Sequence, residues 1–345
     1  MRSQGDSTLM DIKKLEAWYL KNHRKLSFRD TLNPYYIWVS EIMLQQTQVE
    51  AVLPYFNKFI QKYPTVEDLS KTTEDILHKD VEGLGYYRRF RNMLKAAIII
   101  TEKHHGKFPE TYQEVIDLPG IGKYTAGAIL SIAYNKPYSA LDGNVIRVLS
   151  RYLGNDQDMR IEKNKRVLDQ ANQSYIEQST PRIYTQAMME LGATVCRPKN
   201  PKCEQCPLAE HCFAYNNNST EQYPVLSKLK DKTEIEYVTL IIHDFDGIYL
   251  RKRTEDLLFG MYEYPQYESS SIQQVLTSLE DQGIMLDIIS DEESYKHVFT
   301  HMIWMMKVYH ARLIKKGVND WQFIHESEIN HVPMAIAHRK IIIKL

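Results

Sequence analysis

The fold of this chain is decided by residues 118–126, which read LPGIGKYTA. Gly120 and Gly122 allow a tight turn between two apolar helical segments, because glycine tolerates backbone conformations that other residues avoid. The freed backbone N–H groups then lie at a helix N-terminus, where the helix dipole favours an anion such as a DNA backbone phosphate. Taken alone, the motif more often marks a plain interhelical turn.

An aspartate follows the hairpin within the sequence LDGN at residues 141–144, directly ahead of another predicted helix. Asp142 or Asn144 would cap this helix by accepting a hydrogen bond from its first backbone N–H groups. Without further motifs, capping alone is the expected role of this segment.

The cysteines supply the next motif. All four of them lie between residues 196 and 212 in the pattern C-x6-C-x2-C-x5-C: Cys196, Cys203, Cys206 and Cys212. Disulfides are not expected, because bridges over such short loops would be strained and belong mainly to small secreted chains. The pattern therefore predicts a metal site, and thiolate ligands leave zinc and an iron–sulfur cluster both open. The surrounding prolines and lysines make the loop stiff and basic, which suits an anionic surface such as DNA.

Composition sets limits on the other functions. The 345 residues carry a formal net charge of −1, so a DNA-binding face must be local. Residues 1–215 hold 29 Lys and Arg against 25 Asp and Glu, which points the basic surface at the N-terminal part. No apolar run approaches the roughly 20 residues that span a bilayer. Residues 1–10 lack the character of a targeting segment, so we expect a cytoplasmic, bacterial protein without membrane contact.

The hydrophobic period divides the chain into two parts. Up to about residue 215, apolar residues recur at helical spacing, as in 37–52 and 125–134. An Asn-rich and then Lys-rich stretch at 216–232 is typical of a linker. From 233 to 345 the pattern predicts strands with one helix at 272–282, including a strand over 297–313. We therefore predict an all-α region at 1–215, a linker and an α+β domain at 233–345.

The hairpin, the downstream DGN and the cysteine pattern together resemble the helix-hairpin-helix DNA glycosylases that carry an iron–sulfur cluster. The resemblance implies a multidomain protein: an all-α helix-hairpin-helix glycosylase fold, with its hairpin at about 113–134 and its cluster loop at 196–212, followed by a Nudix-like domain. It implies a [4Fe-4S] cluster rather than zinc. It also implies that Asp142 is the catalytic carboxylate.

Residue 124 bears on the class of glycosylase. In family members similar to endonuclease III, the residue two after the second hairpin glycine is a lysine that forms a Schiff base with the sugar. Here that residue is Tyr124, and a phenol cannot form an imine, so we expect a monofunctional enzyme. Lys123 lies about 100° around the helix from that face and is predicted to contact a phosphate. Two alternatives are an endonuclease III-like pyrimidine glycosylase and a non-catalytic iron–sulfur protein that binds DNA or senses redox state.

Residues 38–49, WVSEIMLQQTQV, are similar to the corresponding segment of the MutY family of adenine glycosylases. Glu41 stands in an otherwise apolar helical stretch, where an unpaired charge is costly to bury. The resemblance implies that Glu41 is the general acid, with Tyr124 and Asn144 holding the sugar and Asp142. Arg24 and Arg29 are predicted DNA contacts, although an ion pair of either with Glu41 is the alternative.

Further DNA contacts are implied by the same resemblance. Near the lesion pair, side chains are expected to fill the helix or line the partner base: Gln46, Thr47, Leu84 and Tyr86. A surface turn with a packed tyrosine is the alternative for residues 83–89. In the second domain, Phe299, Thr300 and His301 correspond to the family's F-S-H loop, which reads 8-oxoguanine. An ordinary β-hairpin is the alternative there.

Three departures from the family pattern qualify this comparison. Thr300 replaces serine but keeps a hydroxyl, and Phe28 replaces the usual tryptophan and lacks its indole N–H. Residues 271–283 lack the Nudix metal box, so pyrophosphohydrolase activity is not expected. The sequence thus predicts a monomeric base-excision repair glycosylase. It would act on double-stranded DNA and hydrolyse the N-glycosidic bond of adenine opposite 8-oxoguanine or guanine.

Overall fold

The computed structural model describes residues 10–229 and 231–341. These residues form two compact units. One, the helical unit, comprises the chain up to Lys71 together with Asn92–Lys228. The other, the sheet unit, comprises Thr72–Arg91 together with the chain from Leu229. Among the described residues, no helix is long and apolar enough to cross a membrane.

The helical unit is built from helices alone. The α-helices up to residue 216 are α1 Ile12–Asn22, α2 Pro34–Leu44, α3 Val49–Lys62, α4 Val66–Ser70, α5 Glu74–Asp80, α6 Arg88–Lys103, α7 Tyr112–Ile116, α8 Lys123–Ile132, α9 Gly143–Leu153, α10 Glu162–Ile176, α11 Pro181–Thr194 and α12 Phe213–Asn216. Of these, α5 and the start of α6 belong to the sheet unit.

Two nearly fully buried helices, α2 and α8, pack against each other in this unit. Helix α2 begins with an Asn33 cap and Pro34 at its first position, both of which favour a helix start. Helix α8 begins at Lys123, and its N-cap, Gly122, has no side chain to cap the first N–H groups. A second core joins α1, α9, α10 and α11.

The predicted helix over 37–52 is wrong in one detail. Helix α2 ends at Leu44 and α3 begins only at Val49, with Gln46 between them at φ 57. This left-handed conformation breaks the helical hydrogen-bond ladder because a left-handed residue cannot continue a right-handed helix. The interruption turns residues 45–48 into a loop between two helices.

The sheet unit contains one eight-stranded sheet with short helices, as β1 Thr233–Asp244, β2 Gly247–Lys252, β3 Tyr262–Glu263, β4 Gln266–Glu268, α13 Ile272–Asp281, β5 Met285–Ile288, β6 Glu293–Val298, β7 Met302–Lys315, β8 Gln322–His325 and α14 Ile336–Arg339. The strand order is β3-β2-β1-β7-β5, with β4 on β1, β6 on β7 and β8 on β2. Strands β1 and β7 run parallel from Thr233↔Met302 to His243↔Arg312. Apolar residues cover both faces of the sheet.

Helices followed by an α+β sheet unit confirm the predicted fold class. The strand predicted over 297–313 is interrupted, because Phe299 N–H bonds to the carbonyl of Met302 and turns the chain between β6 and β7. Contacts also group Thr72–Arg91, which lies inside the predicted catalytic region, with the C-terminal residues. Part of the predicted linker packs on the helical unit, where Met159 N–H bonds to the carbonyl of Val225. That residues 1–215 form a catalytic domain of their own stays a prediction.

Candidate active site

A cleft of about 600 Å³ lies in the helical unit. Eight of the predicted site residues line it: Arg24, Arg29, Glu41, Gln46, Thr47, Tyr124, Asp142 and Asn144. The loop that interrupts α2 and α3 places Gln46 and Thr47 at the cleft, which a continuous helix would not do. The volume lies in the range of small-molecule pockets, so a single nucleobase with its sugar fits.

Glu41 is the buried acid of this cleft, with a relative exposure of 6%. The hydroxyl of Tyr124 donates a hydrogen bond to its Oε2. The pKa of Glu41 is raised to about 7, mainly by burial and in part by the neighbouring Asp142. The Tyr124 hydrogen bond and the charge of Arg29 oppose this shift. Near neutral pH a large fraction of Glu41 is therefore protonated and able to donate a proton.

Asp142 caps α9 and also faces the cleft. Its Oδ1 accepts a hydrogen bond of 2.7 Å from Val145 N–H, and its Oδ2 accepts one of 2.9 Å from the Asn144 amide. Burial raises the pKa of Asp142, while these two donors and the charge of Arg147 lower it. The capping role and a role in the cleft are thus compatible, because the donors that make Asp142 a cap also stabilise its carboxylate.

Arg24 and Arg29 do not take Glu41 as their ion-pair partner. Both bind Glu190, with Nε of Arg24 at 2.9 Å from Oε1 and Nη1 of Arg29 at 2.7 Å from Oε2. Burial alone would raise the pKa of Glu190, but the two arginines outweigh it and the pKa is lowered. Glu190 is therefore the ion-pair partner of both arginines, in place of Glu41, the alternative partner that the sequence left open. Phe28, beside this cluster, packs edge-on against Phe56 at 5.7 Å.

Sequence reasoning missed Glu190 and Arg147. Glu190 stands in the apolar helix α11 and is fully buried, which is the same signal that marked Glu41. The guanidinium of Arg147 donates hydrogen bonds of 2.8 Å to Asn144 Oδ1 and to the carbonyls of Gly192 and Cys196. No local pattern marks Arg147, because its two carbonyl partners, Gly192 and Cys196, lie in a distant part of the chain.

The hairpin lies between α7 and α8. Gly120 has φ +79, and a Cβ there would come within 2.7 Å of the Cβ of Asn92, so both the conformation and the space require glycine. Gly122 and Lys123 are exposed at the start of α8. The uncapped N–H groups beside an exposed lysine are suited to an anion. That they bind a DNA phosphate stays a prediction.

The remaining predicted DNA contacts belong to the sheet unit and are not among the residues that line the cleft. Leu84 is buried at 6% exposure, whereas Tyr86 is 47% exposed. The hydroxyl of Tyr86 hydrogen-bonds to that of Thr300. Phe299 packs against Trp304 at 4.8 Å, while Thr300 and His301 are exposed. Residues far apart in the sequence thus meet here.

The four cysteines occupy the loop between α11 and α12, all partly buried. Burial raises the pKa of Cys206 to about 12, and the other three thiols add to this shift. The N–H of Leu208 donates to the sulfur of Cys206. Nη1 of Arg151 donates to Sγ of Cys196 at 3.4 Å. Among the described residues, no group of three or more ligand side chains is gathered for a single metal ion. The fit therefore rests on donor chemistry, because four neighbouring thiols with N–H donors suit a cluster.

Three family models match the chain. These are an HhH-GPD superfamily base excision DNA repair protein over residues 39–177, an iron-sulfur binding domain of endonuclease III over 196–212 and a NUDIX domain over 237–344. The second match covers the span of the four cysteines. Together with these ligands it identifies the cofactor as a [4Fe-4S] cluster.

Whole-chain relatives agree with these matches. The adenine DNA glycosylase of Buchnera aphidicola subsp. Acyrthosiphon pisum is 36% identical over 289 residues, which cover 83% of this chain and 82% of the relative. That of Buchnera aphidicola subsp. Baizongia pistaciae is 37% identical over 306 residues, or 86% and 84% of the two chains. A solved thermostable thymine-DNA glycosylase is similar with a TM-score of 0.54 and 28% identity, over 60% of this chain and 95% of that one.

Proposed function

Since the chain belongs to the family of adenine DNA glycosylases of base-excision repair, we propose that it hydrolyses the N-glycosidic bond of adenine opposite 8-oxoguanine or guanine. It acts as a monomer on double-stranded DNA and flips the adenine into the cleft. One observation carries this proposal: Glu41, Tyr124 and Asp142, from three separate segments, line the same cleft.

The first step needs an acid, because adenine is a poor leaving group. Glu41 is protonated near neutral pH and gives its proton to N7 of the flipped adenine. The bond between C1′ and N9 breaks, and its electron pair leaves with the protonated base as neutral adenine. The sugar is left with a positive charge at C1′.

The second carboxylate stabilises that charge. Val145 N–H and the Asn144 amide hold Asp142 in place and stabilise its anion against the burial that raises its pKa. Two carboxyls in different protonation states reproduce the logic of glycoside hydrolysis. Glu41, now ionised, accepts a proton from a water molecule, whose oxygen bonds to C1′. Tyr124 hydrogen-bonds to Glu41 and orients it.

A monofunctional reaction is consistent with the cleft. Tyr124 occupies the helix position where a lyase needs an amine, and a phenol cannot form the imine that precedes strand cleavage. Cys196, Cys203, Cys206 and Cys212 would hold the iron–sulfur cluster through their thiolates, and this cross-link would make the basic loop rigid. Lesion reading is assigned to the exposed Thr300 and His301 of the sheet unit.

A single-turnover assay tests the proposal. Duplexes carrying adenine opposite 8-oxoguanine, guanine and cytosine are incubated with excess enzyme, and each sample is divided for analysis with and without alkali. We expect adenine release in the order 8-oxoguanine, guanine, cytosine, and strand breaks only after alkali. Strand cleavage without alkali would contradict the monofunctional mechanism, and equal rates on all duplexes would contradict lesion reading.

A further inference from the structure

The loop that carries Tyr86 belongs to the sheet unit, although most of that unit is formed by the chain from Leu229 onward. Its backbone is unusual, with φ of 99 at Gly83, 69 at Gly85 and 50 at Tyr86. Residues other than glycine rarely adopt this left-handed backbone conformation. A loop in such a conformation keeps its shape only if the surrounding structure restrains it.

The first restraint is an ion pair from α5. Nζ of Lys252, at the end of β2, lies 2.7 and 2.8 Å from the two carboxylate oxygens of Asp75. Both side chains are partly exposed, at 36% and 47%. The pair joins the segment Thr72–Arg91 to a central strand of the sheet rather than to a loop.

The second restraint acts directly next to the loop. Nε of Arg339 donates to Glu82 Oε1 at 2.6 Å, and the side-chain exposures are only 21% and 19%. The same guanidinium also donates to the carbonyls of Ile329 and Val332. Because a planar guanidinium with several acceptors has little freedom, Glu82 is fixed one residue before Gly83.

A further contact strengthens the attachment. The guanidinium of Arg91 lies over the ring of Phe259, with 4.3 Å to the centroid. Contacts therefore hold the segment before and after the loop: Asp75 and Glu82 before it, and Arg91 after it. The hydroxyl of Tyr86 then meets that of Thr300. The loop 83–87 and residues 299–301 thus form a joint surface, which we call the paired loops.

We propose that the ion pairs Asp75–Lys252 and Glu82–Arg339 position the paired loops as one lesion-reading element. This inference rests on the proposed function, because it assumes that these loops read the base opposite adenine. Lys252 and Arg339 are positioning residues: they set the place of Tyr86 relative to Thr300 and are not among the residues that line the cleft.

The test uses the full-length, cluster-loaded protein and exchanges the charges of the more exposed pair. The variants are Asp75→Lys, Lys252→Asp and the double exchange, with Arg339→Met for the second pair. Arg312→Asp is the matched control, because Arg312 is an exposed cation of β7 far along the sequence from these pairs. Two quantities are measured: the single-turnover rate on adenine opposite 8-oxoguanine relative to guanine, and hydrogen–deuterium exchange of residues 81–88 without DNA.

Asp75→Lys and Lys252→Asp are each expected to lower the preference for 8-oxoguanine about two- to fivefold, because their ion pair is partly exposed. Arg339→Met should lower it by about tenfold, because its contact with Glu82 is more buried. The rate on the guanine duplex should stay within about twofold, because the catalytic carboxyls are untouched. Exchange in residues 81–88 should rise in parallel. The double exchange should restore both the preference and the protection. Asp75→Lys and Lys252→Asp change the net charge of the protein in opposite directions, so a loss of preference in both would not come from altered attraction to DNA alone. Arg312→Asp should resemble the wild type in both measurements.

Three results would overturn the inference. These are an unchanged preference in Lys252→Asp and Arg339→Met, a lost preference without faster exchange, and a double exchange that restores neither quantity. If the wild type cuts both duplexes equally fast, the proposed lesion reading itself fails. The exchange measurement needs no DNA, so it still decides whether the ion pairs hold the loop. Should Arg339→Met not fold, the Asp75 and Lys252 variants provide the same test.

Discussion

Removing the hydroxyl of Tyr124 should move the alkaline limb of the pH–rate profile upward. In the wild type, burial raises the pKa of Glu41 to about 7, and the Tyr124 hydrogen bond opposes that shift by stabilising the carboxylate. Adenine release requires protonated Glu41, so the rate falls as the pH rises through about 7. Tyr124→Phe removes a donor to the ionised form, and Glu41 then keeps its proton to higher pH.

The size of the shift follows from the hydrogen bond. A hydrogen bond to a charged group contributes about 1.5–3 kcal/mol, and about 1.4 kcal/mol corresponds to one pH unit. The alkaline limb should therefore move upward by about one to two pH units. The acid limb reports Asp142, which must be ionised and whose pKa is raised by burial. Its hydrogen bonds come from Val145 and Asn144, so the acid limb should stay in place.

The assay is single-turnover adenine release across about pH 3 to 9, from below the ordinary pKa of an aspartate to above that of Glu41. Tyr134→Phe is the matched control, because it removes a half-buried hydroxyl that bonds to the carbonyl of Phe108 at 2.9 Å outside the cleft. The reasoning is refuted if the alkaline limb of Tyr124→Phe coincides with that of the wild type. It is also refuted if Tyr134→Phe shifts the limb equally.

Three further predictions concern the acid, the cluster and lesion reading. Glu41→Gln should slow adenine release in single turnovers by about 10²–10⁴-fold, with binding of the lesion duplex retained, and Asp142→Asn should behave similarly; a near wild-type rate would contradict the assignment. Cys203→Ser should lose iron, visible absorbance and DNA affinity, measured by metal analysis and titration; stoichiometric zinc without iron in anaerobically prepared wild type would contradict the cluster. Phe299→Ala with His301→Ala should reduce the preference for 8-oxoguanine about ten- to a hundredfold at an unchanged guanine rate. Truncation after Asn218 should leave a cluster-containing protein that cuts adenine but discriminates poorly. Full preference in either case would place lesion reading at the residues before the linker: Gln46, Thr47, Leu84 and Tyr86.

The double variant is a cleaner test of lesion reading than the truncation. Truncation removes residues 299–301, but it also removes Lys252 and Arg339, the partners of Asp75 and Glu82. A loss of discrimination after truncation would therefore combine two effects. In the double variant the ion pairs remain, so the change reports the loop itself.

Short-range features of this protein could be predicted from its sequence. The glycine turn, the cap at Asp142 and the cysteine spacing each depend on residues close together in the chain. Their patterns can therefore be recognised in the sequence alone. The burial of Glu41 also follows from its apolar neighbours on one helix. The hairpin, the cofactor loop and the fold class were predictable for this reason.

The partners of charged and aromatic side chains were decided only by the tertiary structure. Arg24 and Arg29 meet Glu190 instead of Glu41, and Tyr86 meets Thr300 across more than two hundred residues. Such pairings depend on which surfaces the packed helices and the parallel β1–β7 pair bring together, and they leave no period in the sequence. The sequence by itself therefore determined the local elements and the identity of the reactive groups. The tertiary structure determined their neighbours, because burial and electrostatic partners are properties of the folded chain.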